Sequence, residues 1–119
     1  PQLVVRRLVG RLQPVGQFER AGGPAEQVVS LRPGDRVALF TDGITDAAGP
    51  GGEPFGLARM DDILSRPTTC TACSVSDLVD ELEQFTGTDR PGDDQTLVLV
   101  EMTRPNGQKV MKAAAAARA

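Results

Sequence analysis

Apolar and polar positions change their period several times along the chain, and each change predicts an element. Residues 2–9 (QLVVRRLV) are rich in β-formers and read as a strand. Residues 10–23 carry Gly, Pro and Gln and read as loop, with a short extended piece at 15–18. Residues 25–31 (AEQVVSL) read as a second strand. Residues 36–41 (RVALFT) read as a third, dense enough in apolar side chains to be central. Between them, Arg32-Pro33-Gly34-Asp35 is a strong turn: Pro presets φ at one central position and Gly accepts φ > 0 at the next. The two flanking strands therefore read as an antiparallel hairpin.

The period then shifts. Residues 47–54 (AAGPGGEP) form a Gly/Pro loop. From Phe55, the residues Leu57, Met60, Ile63 and Leu64 fall near one helical face, and Pro67 ends that helix. A second helix places Val75, Leu78, Val79, Leu82 and Phe85 on one face, with Ser74 as N-cap and Asp77 as its capping-box partner. It stops near Gly87. Residues 88–94 (TDRPGDD) are a polar turn, and residues 95–102 (QTLVLVEM) are the last strand. Beyond it the alanine run favours helix if anything orders it. The chain thus divides into a domain over 1–103 and a tail over 104–119, a linker, a cloning remnant or the start of a next domain.

Composition narrows the classes. At 119 residues the chain holds one domain at most, with a modest core of Val, Leu, Ile and Ala, because Phe numbers four and Trp and Tyr are absent. A net charge of −3 with mixed signs gives no basic footprint for nucleic acid. No apolar run reaches the roughly 18–20 residues of a membrane span, and no signal-peptide pattern opens the chain. The start at Pro1 reads as that of a processed or cut-down piece in the cytoplasm. Cys70 and Cys73 form a C-x-x-C in a Thr-rich connector. Such a pair can be a redox couple or half a zinc site. With no His and no further Cys for zinc, and no strand-to-helix context for a redox motif, they read as incidental thiols of a reducing compartment.

The chemistry lies in the acids at strand ends. Asp42 follows one strand and Asp93-Asp94 precede another. If those strands are antiparallel neighbours, the acids meet at one end of the sheet. Carboxylates gathered there repel unless a cation or a retained proton intervenes, and oxygen-only ligands suit Mg²⁺ or Mn²⁺. Asp-Gly and Gly-Asp are also ordinary turn pairs, so spacing alone favours the turn. The acids do not follow the loop spacing of a Ca²⁺-binding hand.

The segment LRPGDRVALFTDGITDAAGPGGEPFGLARM, followed by PGDDQTLVLVEM, closely resembles the C-terminal half of the bacterial sporulation stage II protein E family of phosphatases. That family is a branch of the metal-dependent, type 2C-like Ser/Thr protein phosphatases. The resemblance implies an α+β fold: an antiparallel β-sandwich flanked by helices, incomplete in this chain. It implies Asp42 as the ligand of the T-D-G motif and Gly43 as the residue that lets the backbone turn tightly beside the metal. It implies Asp93 as the second ligand with Asp94 adjacent, leaving open which of the two binds directly. Asp46 is then a loop acid, and Glu53-Pro54-Phe55-Gly56 a structural corner in which Phe55 anchors the helix and Gly56 permits close approach.

The implied activity is hydrolysis of phosphoserine or phosphothreonine by metal-activated water, with Mn²⁺ or Mg²⁺ as cofactor. The implied substrate is a phosphorylated protein, an anti-sigma-factor antagonist of bacterial partner switching. The family's earlier Asp-x-x-Gly-His-Gly motif is missing, so about half of the catalytic domain is absent and the fragment alone is expected to be inactive. Its exposed apolar face and open edges favour a homodimer, strand exchange or docking to the missing half. The alternative reading is an inactive, phosphatase-like regulatory or protein-binding module.

Overall fold

The computed structural model describes residues 5–8, 28–104 and 111–119. By contact the chain divides into two compact units, Pro1–Ser30 and Leu31–Ala119. In the first, residues 5–8 and 28–30 are irregular, and Val28 is 87% exposed. The strand expected at 2–9 is therefore not formed over its described part. The rest of that strand, the loop at 10–23 and the extended piece at 15–18 lie outside the described residues.

The second unit runs β1 (Arg36–Phe40), α1 (Asp42–Thr45), α2 (Gly56–Leu64), α3 (Thr71–Thr86), β2 (Gln95–Met102) and β3 (Met111–Arg118). The strands form one antiparallel sheet in the order β1-β2-β3. Period-two alternation in β2 turns Leu97 and Leu99 to the helices, where each is 1% exposed. The β1–β2 register sets Ala38 opposite Leu99 and Phe40 opposite Leu97, while the β2–β3 register sets Ala114 and Ala116 opposite the same two leucines. Onto this face pack Ile44 of α1, Phe55, Met60 and Ile63 at and in α2, and Val75, Leu78 and Leu82 of α3. Burying each large side chain contributes on the order of 1.5–3 kcal/mol. The opposite face carries Val37, Leu39, Val98 and Val100, with Leu39 59% exposed. The arrangement is α+β, one antiparallel sheet covered on one face by helices, in line with the incomplete sandwich that the resemblance implies.

The hairpin expected across the Pro-Gly turn is not formed over the described residues; 25–27 of its first strand lie outside them. Gly34 has the positive φ that the turn needs, and Asp35 N–H donates to Arg32 O, but residues 28–31 are irregular. The partner of β1 is β2, and the ladder continues through the turn: Gly34 N–H donates to Met102 O at 2.7 Å and Met102 N–H to Asp35 O at 2.9 Å. The β2 ladder satisfies one edge of β1, while residues 28–31 expose Val28 and Leu31 instead of burying them beside it. Among the described residues β1 is therefore an edge strand and β2 the central one, against the expectation from apolar density.

The second helix begins earlier than its apolar pattern suggests. Cys70 is the N-cap of α3, and Ser74 is a buried residue inside the helix. The cysteines are not incidental thiols: Cys70 and Cys73 are joined by a disulfide. The C-terminal stop at Gly87 holds, with φ 73° and its N–H donating to Glu83 O. The alanine run is a strand rather than a helix. Pairing along the open edge of β2 satisfies its backbone groups, and its small side chains fit beneath α3. Arg118 fixes the end, pairing with Glu83 of α3 at 3.1 Å and donating to Asp89 O at 2.6 Å.

Arg36 ties the helical layer to the sheet. Its guanidinium donates to Leu64 O at 3.2 Å, Arg66 O at 3.5 Å and Thr68 O at 2.8 Å, and lies 3.9 Å from Glu101. The cation thus satisfies carbonyls at the end of α2, where both hydrogen-bonding need and dipole favour it. Arg66 bridges Asp62 and Glu81 at the surface; the Glu81 hydrogen bond first, then that to Asp62, raises its pKa. Exposed pairs of this kind contribute little to stability.

The packing yields a contrast. Leu78→Ala, in the centre of the core, is expected to cost about 2–5 kcal/mol in urea unfolding. Leu39→Ala, on the exposed face, is expected to change stability by no more than about 0.5 kcal/mol. Equal losses in the two variants would mean that the outer face is buried in solution.

Candidate metal centre at the ends of β1 and β2

β1 ends at Phe40, and Thr41 is still extended (φ −96°, ψ 156°) before the chain turns into α1. Thr41 fastens this turn to the start of β2 in three ways. Its N–H donates to Thr96 O at 3.1 Å, its Oγ1 donates to Asp94 O at 3.2 Å, and Oγ1 accepts from Thr96 N–H at 3.0 Å. Asp42 opens α1, and its backbone carbonyl accepts from Asp46 N–H and from Thr45 Oγ1. Buried Ile44 plugs α1 into the core. The carboxylate of Asp42 is held on a short, doubly anchored turn.

Gly43 meets the other acidic stretch. A Cβ on it would overlap the carbonyl oxygen of Asp94 and stand 3.0 Å from its carbon. Its φ is not positive, so close backbone approach, rather than a left-handed turn, demands glycine there. Gln95, 5% exposed, locks the approach: its Nε2 donates to Gly43 O at 3.1 Å. Its Oε1 is buried without a hydrogen-bond partner among the described residues. Asp93 and Asp94 are exposed, and Asp93 Oδ1 accepts from Asp94 N–H at 2.7 Å.

The antiparallel register therefore brings Asp42 and Gly43 to the same sheet end as Asp93 and Asp94. Asp46 is exposed at the end of α1. As donors, exposed carboxylates suit a hard divalent cation such as Mn²⁺ or Mg²⁺. They fit it in part: among the described residues, no three His, Cys, Asp or Glu side chains are grouped so as to hold a metal ion.

The following loop is folded back by an Ala48–Pro54 bridge and by hydrogen bonds from Gly49 N–H to Glu53 O and from Phe55 N–H to Ala47 O. Phe55, 2% exposed, meets Phe85 of α3 edge-on, with centroids 5.4 Å apart. Arg59 lies over the Phe85 ring at 4.5 Å and donates to Phe55 O at 2.8 Å. The corner is structural, as expected. Gly56 serves it differently: its φ is 82° with open space around a would-be Cβ, so it permits a left-handed conformation rather than close approach.

The family model for Stage II sporulation protein E matches residues 2–103. The chain belongs to the stage II sporulation protein E family. Searches among curated proteins and among solved structures gave no match. The stage II sporulation protein E family is a phosphatase family, and its members are generally metal-dependent. The family-matched segment contains both acidic stretches, and β3 lies beyond it. Among the described residues, no helix is long and apolar enough to cross a membrane.

Two residues of this end were not singled out from sequence. Thr41 was visible as the first letter of T-D-G. Gln95 was visible as a polar residue in phase with Leu97 and Leu99, hence on the buried face.

Gly43→Ala forces the Asp94 backbone away and is expected to cost about 2 kcal/mol or more. Gly92→Ala, with nothing within 4 Å of the added methyl group, is expected to cost less than about 1 kcal/mol. Denaturant unfolding of the two variants checks this; equal stability would show that the two acidic turns are not in contact.

Proposed function

We propose that this chain is the C-terminal portion of a metal-dependent protein Ser/Thr phosphatase, with Asp42 and Asp93 contributing ligands to one Mn²⁺ or Mg²⁺ and Asp94 adjacent. The observation that carries this reading is the fastening of the T-D-G turn to the D-D-Q-T strand start by Thr41 and Gln95 across a separation of 53 and 52 residues. An ordinary turn needs no such cross-connection.

The chain's own residues would do three things. Asp42 and Asp93 would hold the ion on the two anchored strand ends. Gly43 keeps the Asp94 backbone close enough for the two turns to act as one edge. Thr41 and Gln95 fix both turns, so the carboxylates are positioned before an ion arrives. The ion, when bound, supplies an activated water and neutralises phosphoryl oxygens. The substrate is a phosphoserine or phosphothreonine protein. Family membership supports an anti-sigma-factor antagonist within cytoplasmic partner switching. The upstream half of the domain supplies the remaining ligands, so this chain alone binds an ion weakly and hydrolyses little.

A second reading, a phosphatase-like module that binds a partner protein, is favoured by one observation. The described acids form no three-residue metal group.

Calorimetric titration with Mn²⁺ separates the two. The phosphatase reading expects weak binding that falls at least tenfold, about 1.4 kcal/mol, in Asp42→Asn and again in Asp93→Asn. Binding unaffected by either change, or absent altogether, would favour the non-catalytic module.

A further inference from the structure

The disulfide at the start of α3 belongs to neither acidic turn. Cys70 is the N-cap of a 16-residue helix, and its sulfur accepts the N–H of Cys73 at 3.1 Å. The two cysteines are bonded across a sequence separation of three, with Cα atoms 5.2 Å apart. Cys73 is exposed and Cys70 is half-buried. The pair therefore combines a bonded C-x-x-C, a helix N-terminus and an accessible sulfur.

The backbone around Cys70 is held independently of the disulfide. Cys70 N–H donates to Thr68 Oγ1 at 3.0 Å, and Thr68 O accepts from Arg36 at 2.8 Å. On the other side, buried Thr71 donates its hydroxyl to Glu101 at 2.6 Å. A disulfide over so short a loop also constrains the unfolded chain less than one over a long loop. The helix start thus has supports that remain when the S–S bond opens.

We propose that Cys70–Cys73 is a thiol–disulfide exchange site, a reversible two-electron couple served by a dithiol reductant. One thiolate of the reductant attacks the exposed Cys73 sulfur. The S–S bond breaks and its electron pair leaves on Cys70, whose thiolate is stabilised by the Cys73 N–H and the positive end of α3. The second thiol of the reductant, after losing its proton, attacks the reductant's own sulfur in the mixed disulfide. Cys73 leaves as a thiolate and is protonated. The chain gains two electrons, and the two protons given up by the reductant go one to Cys73 and one to the Cys70 thiolate or, while that thiolate persists, to solvent; the reductant becomes its disulfide. The reverse sequence closes the bond. Attack at Cys73 combines the open sulfur with the better leaving group, which favours fast exchange.

The test begins with the unsubstituted chain in graded ratios of reduced to oxidised dithiothreitol, quenched with acid, labelled with a maleimide and weighed. Two species are expected, carrying no label or two labels, interconverting in both directions while the circular dichroism of the helices is unchanged. Dominant singly labelled or disulfide-linked dimeric species would overturn the proposal, as would thiols that never reoxidise, a bond that never opens, or loss of helix on reduction. The second part compares single-cysteine variants at neutral pH with iodoacetamide. Serine caps a helix well, so Cys70→Ser retains the fold, and Cys73 is exposed enough to accept Cys73→Ser. Cys70 is expected to alkylate about threefold faster or more than Cys73, because extra thiolate outweighs the reduced nucleophilicity that accompanies it. Cys73 reacting as fast or faster, in line with its greater exposure, would overturn the assignment of Cys70 as the stabilised thiolate.

Discussion

The pairing of β1 with β2 is the constraint on which the second unit depends. Its register sets Ala38 against Leu99 and Phe40 against Leu97, so both strands turn one face to the helices. A slip of one residue would send Leu97 and Leu99 to the outer face and empty the core. The same register decides where the acids lie. Because the strands are antiparallel, the exit of β1 and the entry of β2 coincide, and Thr41 makes that coincidence rigid. Core packing and site assembly are therefore one event. A mutation that loosens the ladder loosens the candidate metal centre.

Arg36 plays the corresponding part at the other end of the sheet. It stands opposite Glu101, and its guanidinium reaches carbonyls of three residues at the end of α2 and in the α2–α3 connector. Thr71 joins the same group through Glu101. The two ends of the β1–β2 ladder are thus specialised: one aims carboxylates outward, the other anchors the helical layer and the start of α3. A single strand of five residues links them.

Much of this was legible in the residues because local pattern and tertiary demand agree. β2 has a short apolar run of β-formers after a turn, α2 has apolar side chains at helical spacing ended by Pro67, and α3 has a glycine where a left-handed cap is needed. All three form as the pattern says. The failures occur where local pattern is silent or tertiary pairing overrules it. A Pro-Gly turn can be read, but not whether the strand before it finds a partner. Five alanines prefer helix alone, yet the unpaired edge of β2 makes extended backbone the better state for 111–118. The start of α3 was displaced by four residues because Ser74 is the stronger cap by type, whereas a disulfide-bonded cysteine holds the helix start. At the candidate site, the three acids could be named from their motif. The cross-connections of Thr41 and Gln95 could not, since hydrogen bonds across more than fifty residues leave no local trace.

The alanine strand has a consequence for how the chain is made. β2 emerges during synthesis with one edge matched by β1 and the other bare, and a further stretch of chain must follow before 111–118 can cover it. For that interval the central strand, which carries five of the unit's apolar residues, presents an open edge to any neighbour. The unit is therefore most exposed to wrong pairing between the emergence of β2 and the docking of 111–118 onto it.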